Sequence, residues 1–113
     1  MNKEYIIRKN EEIKLIVKTG KKTVSKYFII YNIESDTKYN KYCVSVSKKL
    51  GKAHIRNKMK RRIKDILMKN KMELKRKYVI ILKKEAVTAS YSDLEEILIN
   101  QIKGENKWNK QKK

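Results

Sequence analysis

The sequence predicts a small single-domain α+β protein, an α/β sandwich with the element order α-β-β-β-α-β-α. Two periodicities lead to this prediction: apolar residues recur every three to four positions in three segments, and β-branched or aromatic runs lie between them. The 113 residues suffice for one domain, and 40% hydrophobic residues supply a core. We expect this domain over residues 6–103 and a basic, flexible tail that contains Trp108 over 104–113.

A short helix is predicted over residues 11–18. Apolar residues at i, i+3 and i+4, beginning with Ile13, give it one apolar face. Asn10 is the predicted N-cap, and Gly20 is the predicted exit from the helix.

Four strands are predicted from their composition. Residues 19–24 leave room for a short strand, residues 27–33 are β-branched and aromatic, and residues 42–47 alternate between apolar and small side chains. The short link between the last two predicts that they pair as a hairpin. Residues 78–82 are continuously apolar, which is typical of a central strand.

Two further helices follow the strands. The pattern over 53–74 is helical, with its apolar stripe at Ile55, Met59, Ile63, Ile66 and Leu67. A capping box formed by Ser92 and Glu95 is predicted to open the last helix.

The charge of the chain points to a polyanionic partner. Thirty-one Lys or Arg residues against 12 Asp or Glu give a formal charge of +19. Lys outnumbers Arg, so part of the excess has the alternative explanation of a compositional bias. Nine cations nevertheless fall between Lys48 and Lys64 with no acidic residue among them. On a helix face, such cations can engage successive phosphates of a nucleic acid.

Several classes of protein are not expected. No run of 18 apolar residues could span a membrane, and the N-terminus lacks the apolar segment of a signal peptide, so we expect a cytoplasmic protein without membrane contact. Cys43 lies in a strand pattern and is predicted to be a small buried hydrophobe. His54 has no acidic partner nearby in the sequence, and no residue constellation suggests a nuclease site.

The cationic segment resembles the signature of the bacterial ribonuclease P protein subunit. The shared features are Ser47-Lys48-Lys49, then Gly51, then Arg56-Asn57-Lys58 followed by Lys60-Arg61. The flanking elements agree in order over roughly residues 7–103.

The resemblance implies a fold and a function. The basic helix would cross between two parallel strands with a left-handed connection, against the general preference for right-handed crossovers. The chain would be a non-catalytic subunit of an endoribonuclease whose RNA subunit, with Mg²⁺ or a similar divalent ion, removes the 5′ leader of precursor tRNA. It would bind the catalytic RNA and the leader, and it would be monomeric before assembly.

The resemblance also implies two sets of site residues. Those that would contact RNA are Arg56, Asn57, Lys58, Lys60, Arg61 and Lys64 on the helix and Lys48, Lys49 and Lys52 before it. Those that would line a cleft for the leader are Ile13, Val17, Ile29 and Tyr31. Lys58 replaces the usual Arg and loses its bidentate fork, and Lys52 replaces an Asn that could cap the helix.

The cleft leaves one alternative open, because Ile13 and Val17 could simply pack on the sheet. Relatives often have Phe at these positions, so stacking on bases falls to Tyr31 alone. We therefore expect a groove that depends more on charge and shape, which Tyr31→Ala and Lys21→Ala would test.

Two rival functions remain at this point. The first is a ribosomal or ribosome-assembly RNA-binding protein, because composition does not separate it from a ribonuclease P subunit. The second is a DNA-binding or membrane-surface protein, which a basic amphipathic helix alone would permit.

Overall fold

The protein is an α+β domain, which the computed structural model describes over residues 5–35, 40–70 and 75–103. Its elements are α1 (Asn10–Thr19), β1 (Lys21–Val24), β2 (Phe28–Glu34), β3 (Lys41–Ser45), α2 (Ala53–Lys69), β4 (Arg76–Leu82) and α3 (Tyr91–Lys103). Short 3₁₀ helices, Lys48–Leu50 and Lys84–Thr88, follow β3 and β4. The predicted element order is confirmed. The end of the predicted second helix and the predicted tail with Trp108 lie outside the described residues.

The four strands form one mixed sheet in the order β1-β2-β4-β3. The predicted hairpin of the second and third strands is wrong: β4 lies between them, antiparallel to β2 and parallel to β3. The hairpin is instead β1–β2. The most apolar strand takes the central position, as predicted, because both its faces are covered. The β3–α2–β4 connection is thus a parallel crossover, and its hand stays a prediction.

The sheet is covered by helices on both faces. On one face, α2 and α3 pack over a large apolar cluster whose most buried members include Phe28, Ile30, Ile63, Ile66, Leu67, Tyr78, Ile80, Leu94 and Leu98. On the other face, α1 contributes Ile16 to a smaller cluster with Ile7 and Val79. The smaller cluster leaves part of that sheet face half-buried.

Helix α1 is held in place at both ends. Glu12 pairs with Lys77 of β4 at 2.7 Å between carboxylate and ammonium. Gly20 ends the helix as predicted, and its N–H donates to the carbonyl of Ile16 at 2.7 Å. Asn10, however, is the first helical residue and not the N-cap; Lys9 occupies that position without a side-chain hydrogen bond.

Helix α3 is capped by a different serine from the predicted one. The Ser90 hydroxyl accepts from the N–H of Asp93 at 3.1 Å, so Ser90 lies at the N-cap and Ser92 is inside the helix. Glu95 does not form a capping box. Its carboxylate accepts a hydrogen bond from the side chain of Asn70 at 2.8 Å, which joins the end of α2 to α3.

Candidate nucleic-acid interface

Three cations follow one flank of α2. Arg56, Lys60 and Lys64 recur every four residues, which places them one above another on a helix. All three are half-buried rather than fully exposed. Helix α2 packs against β3, and Lys60 and Lys64 act to lower the pKa of the Cys43 thiol on that strand, so this flank faces β3. We call these three residues the flank row.

The first member of the flank row is fixed by the preceding turn. Gly51 has a φ of 146°, a conformation that L side chains rarely adopt, and its carbonyl accepts from Nε of Arg56 at 3.2 Å. The stem of Arg56 is thereby oriented while its remaining guanidinium donors stay available. A glycine at this turn therefore determines where the first cation of the row lies.

The other predicted helix residues lie on the outer face. Asn57, Lys58 and Arg61 are exposed. At 100° per residue, Lys58 lies roughly 160° around the helix from Lys60, so it does not belong to the same row. His54 is also exposed, at the start of the helix.

The segment before α2 adds further cations. Lys48 and Lys49 are exposed in a 3₁₀ helix. Ser47 caps this helix, because its hydroxyl accepts a hydrogen bond from the N–H of Lys49 at 3.2 Å. Lys52 is the N-cap of α2 and provides no side-chain hydrogen bond. This agrees with the expectation that Lys at this position removes a cap.

The acidic residues near α2 are held on its opposite flank. Tyr91 donates a hydrogen bond to the carboxylate of Asp65, and this bond, with burial and the nearby carboxylates, raises the pKa of Tyr91 to about 12. Glu95 is engaged by Asn70 and lies 3.8 Å from the ammonium of Lys69. These carboxylates therefore do not neutralise the flank row directly.

A second surface lies on the α1 face of the sheet. Strand pairing aligns Lys22, Tyr31, Val79 and Cys43 in one row across all four strands. The ammonium of Lys22 lies 5.9 Å from the centre of the Tyr31 ring at one end. At the other end, burial raises the pKa of the Cys43 thiol while Lys60 and Lys64 act to lower it. The row is thus a partly apolar floor with a cation at each end.

The structure distributes the predicted cleft residues unevenly. Ile13 and Tyr31 pack against the cluster of Ile7, Ile16 and Val79 and are half-buried. Val17 is 37% exposed, so it does not simply pack in the core. Ile29 is half-buried.

Strand register identifies cleft residues that sequence patterns did not. Lys21 pairs with Asn32, whose side chain belongs to the opposite face from Tyr31, so Lys22 is the cation beside Tyr31. Ile81 pairs with Ile29 and extends the floor. The signal for both was the register between neighbouring strands, and the incorrect β2–β3 hairpin excluded the β2–β4 pairing that places Ile81. Cys43, predicted to be buried, is half-buried.

The described residues do not suit a metal centre. No three His, Cys, Asp or Glu side chains come together in the ranges that the structure covers. A site that held a divalent ion by protein side chains alone would need several oxygen ligands, and the described residues do not bring such a set together. Within the same ranges, no helix is long and apolar enough to cross a bilayer.

The fold and these surfaces define a small, basic α+β protein whose clustered cations suit a polyanionic partner. The family model for ribonuclease P matches residues 1–104. The chain belongs to the ribonuclease P protein family. It is therefore a protein subunit of the bacterial endoribonuclease of tRNA 5′ processing, active as a complex with RNA. This finding favours the ribonuclease P function over the ribosomal and DNA-binding alternatives.

Related proteins match over most of the chain. The ribonuclease P protein components of Streptococcus agalactiae and Mycoplasma mycoides are 35% and 38% identical to it, covering 91% of this chain and 95% and 97% of theirs. A Staphylococcus aureus RNase P protein, solved as a mutant with defective mRNA degradation activity, aligns with a TM-score of 0.84 at 29% identity, covering 89% of this chain and 87% of that one. The Thermotoga maritima protein aligns with a TM-score of 0.75 at 27% identity, covering 83% and 91%.

Proposed function

We propose that the subunit holds two RNAs at once, with the α2 side on the catalytic RNA and the row Lys22–Tyr31–Val79–Cys43 under the single-stranded leader of precursor tRNA. The observation that supports this most directly is the packing of α2 against β3, the strand that carries Cys43 at one end of the row, together with the action of Lys60 and Lys64 on the pKa of the Cys43 thiol. A phosphate backbone that follows α2 meets cations at successive turns. Bases of a leader would lie on the partly apolar floor with their phosphates near the cations at its ends.

Chemistry at the scissile bond is assigned to the RNA. In this assignment the protein side chains position the RNA and neutralise its phosphates, and the described residues bring together no three His, Cys, Asp or Glu side chains that could hold a metal ion. The divalent ion belongs to the RNA in this proposal. The proposal also includes a protein that is monomeric before assembly, a domain over residues 6–103 with a basic tail, and action in the cytoplasm.

The holoenzyme assay tests this function. Adding the protein to a bacterial ribonuclease P RNA at low Mg²⁺ should stimulate cleavage of precursor tRNA, because the protein supplies positive charge that the ion otherwise provides. If about six phosphates are neutralised, log Kd for RNA should change with log salt with a slope of about 4–5. Unchanged cleavage together with a slope near zero would contradict the proposal.

Tyr31→Ala and Lys22→Ala separate stacking from charge in the cleft. We expect each to weaken binding of a leader-bearing precursor to the assembled holoenzyme, because the two side chains adjoin at 5.9 Å. The expected loss is about 3–10-fold for each, at the low end of what a base stack is worth, about 1–3 kcal/mol. Mature tRNA without a leader should bind all variants alike.

Two results would contradict this cleft. An equal loss with leader-bearing and leaderless tRNA would place both side chains outside the leader site. A loss confined to Tyr31→Ala would show that stacking dominates over charge. Lys21→Ala is the matched control, since Lys21 belongs to the adjacent position on the other sheet face.

A further inference from the structure

Three connecting segments meet at one end of the sheet. Strands β3 and β4 are parallel, with Ser45 beside Ile81, so both leave the sheet in the same direction. The start of β2 lies at the same end, because Phe28 pairs with Leu82. The β1–β2 turn and the two 3₁₀ helices are therefore neighbours, and α2 begins from the same end.

Each of these segments carries lysine. Lys26 lies in the β1–β2 turn, Lys83 and Lys84 follow β4, and Lys48 and Lys49 follow β3. Of these five, all but Lys83 are exposed. The strands that lead to them lie about 4.8 Å apart, so the sheet positions that carry the outer segments are separated by about 10 Å. That separation is close to one Debye length at physiological salt, about 8 Å.

The β1–β2 turn is held rigidly against the end of β4. The ammonium of Lys83 donates to the carbonyl of Ser25 at 3.1 Å, and its backbone N–H donates to Tyr27 at 2.8 Å. The Ser25 hydroxyl accepts from the N–H of Phe28 at 3.2 Å and closes the turn. Lys26 extends over the Tyr27 ring, with its ammonium 5.5 Å from the ring centre. The cation at the turn is therefore partly ordered before any partner binds.

Little negative charge opposes these lysines. Glu85 is the acidic residue within the three segments, and it is exposed beside Lys84. Among the described residues, neither Lys26 nor Lys84 forms an ion pair. A polyanion could therefore contact both without displacing an acidic side chain.

We propose that Lys26, on the turn that Lys83 fixes, and Lys84, which follows Lys83 after β4, extend the contact with the RNA subunit from α2 across the strand ends. The occupant is the phosphate backbone of that RNA, because Lys48 and Lys49 make the surface continuous with the start of α2. This inference rests on the proposed function. It adds to it a contact that lies outside the basic helix and outside the cleft.

The double variant Lys26→Ala/Lys84→Ala tests the surface on the full-length protein. Its affinity for a bacterial ribonuclease P RNA transcript should fall about 10-fold at physiological salt, and the log–log salt slope should shrink by roughly 1.4–1.8, the value for two lost phosphate contacts. The matched control is Lys9→Ala/Lys75→Asn, which also removes two exposed charges. Both lie toward the opposite end of the sheet, and Asn suits the positive φ of Lys75. The control should keep the parental slope.

Glu85→Gln provides an independent test that removes no lysine. It should tighten RNA binding about twofold, because the one opposing charge in these segments is gone. If the double variant loses its fold, this variant alone decides, and unchanged or weaker binding would overturn the inference.

The remaining outcomes separate this inference from the proposed function. If the parent fails to bind the RNA subunit, the proposed function fails with it. If the parent binds and the double variant resembles the Lys9/Lys75 control, only the strand-end surface is wrong. If the double variant loses affinity only for precursors with a long leader on the assembled holoenzyme, the strand-end surface binds the leader, and its assignment to the RNA subunit is overturned.

Discussion

Arg56→Ala/Lys60→Ala should weaken binding to ribonuclease P RNA by about 10–100-fold at physiological salt. Both side chains belong to the flank row, and each is expected to neutralise about one phosphate, so the log–log salt slope should fall by roughly 1.4–1.8. Arg56 carries a second effect, because its Nε bond to Gly51 orients the turn before α2. Filter binding or fluorescence anisotropy over a salt series measures both quantities. Stimulation of precursor cleavage at low Mg²⁺ should decline in parallel.

The matched control lies on the other flank of the same helix. Arg62→Gln/Lys69→Gln also removes one arginine and one lysine charge from α2. Lys69, however, faces α3, where its ammonium lies 5.2 Å from the centre of the Tyr91 ring. This control should retain most of the RNA affinity and of the salt slope. Equal losses in both pairs would mean that the net charge of α2, and not the flank row, determines binding.

Gly20→Ala should lower the free energy of unfolding by about 2–3 kcal/mol, the upper part of the range for overpacking. A Cβ on Gly20 would lie 2.4 Å from the carbonyl oxygen of Ile16 and 2.8 Å from that of Asn32. Both neighbours are backbone atoms of α1 and β2, so neither can rotate away. For a domain of this size the melting temperature should fall by roughly 10–20 °C, which thermal denaturation followed by circular dichroism would show.

The adjacent Thr19→Ala is the control for Gly20. It removes an exposed hydrogen bond from the Thr19 hydroxyl to the Leu15 carbonyl, 2.8 Å long, and introduces no clash. Its cost should stay near 1 kcal/mol or below. If Gly20→Ala were no worse than Thr19→Ala, the close approach of α1 to β2 would not be a constraint on the fold.

Local periodicity predicted the elements well because each depends on residues a few positions apart. The apolar stripe from Ile55 to Leu67 and the continuous run at 78–82 both correspond to observed elements, with the run in the centre of the sheet. Pairing is a property of the whole chain, and it was predicted wrongly. Adjacency in sequence favoured a β2–β3 hairpin, but the apolar β4 buries more surface when it lies between them.

The candidate site, too, was predictable where it depends on local spacing and not where it depends on strand pairing. Cations of α2 could be identified from their spacing, whereas Lys22 could be placed beside Tyr31 only by the register of β1. The caps show the limit of prediction at short range: Ser90, and not Ser92, caps α3, and Glu95 binds Asn70 at the end of α2. Glu95 has the local spacing of a capping box, but its carboxylate binds the side chain of Asn70, 25 positions away.

Lys60 and Lys64 face β3 and act on the Cys43 thiol, so both RNAs of the proposed function would share them. This has a thermodynamic consequence for the order of assembly. An ammonium group that already neutralises a phosphate of one RNA cannot also release condensed cations from the phosphates of the other RNA. The two binding events are therefore linked, and the linkage is reciprocal: whichever RNA binds first lowers the salt dependence of the second. A leader bound to the assembled complex should thus respond less to ionic strength than the same leader bound to the free protein.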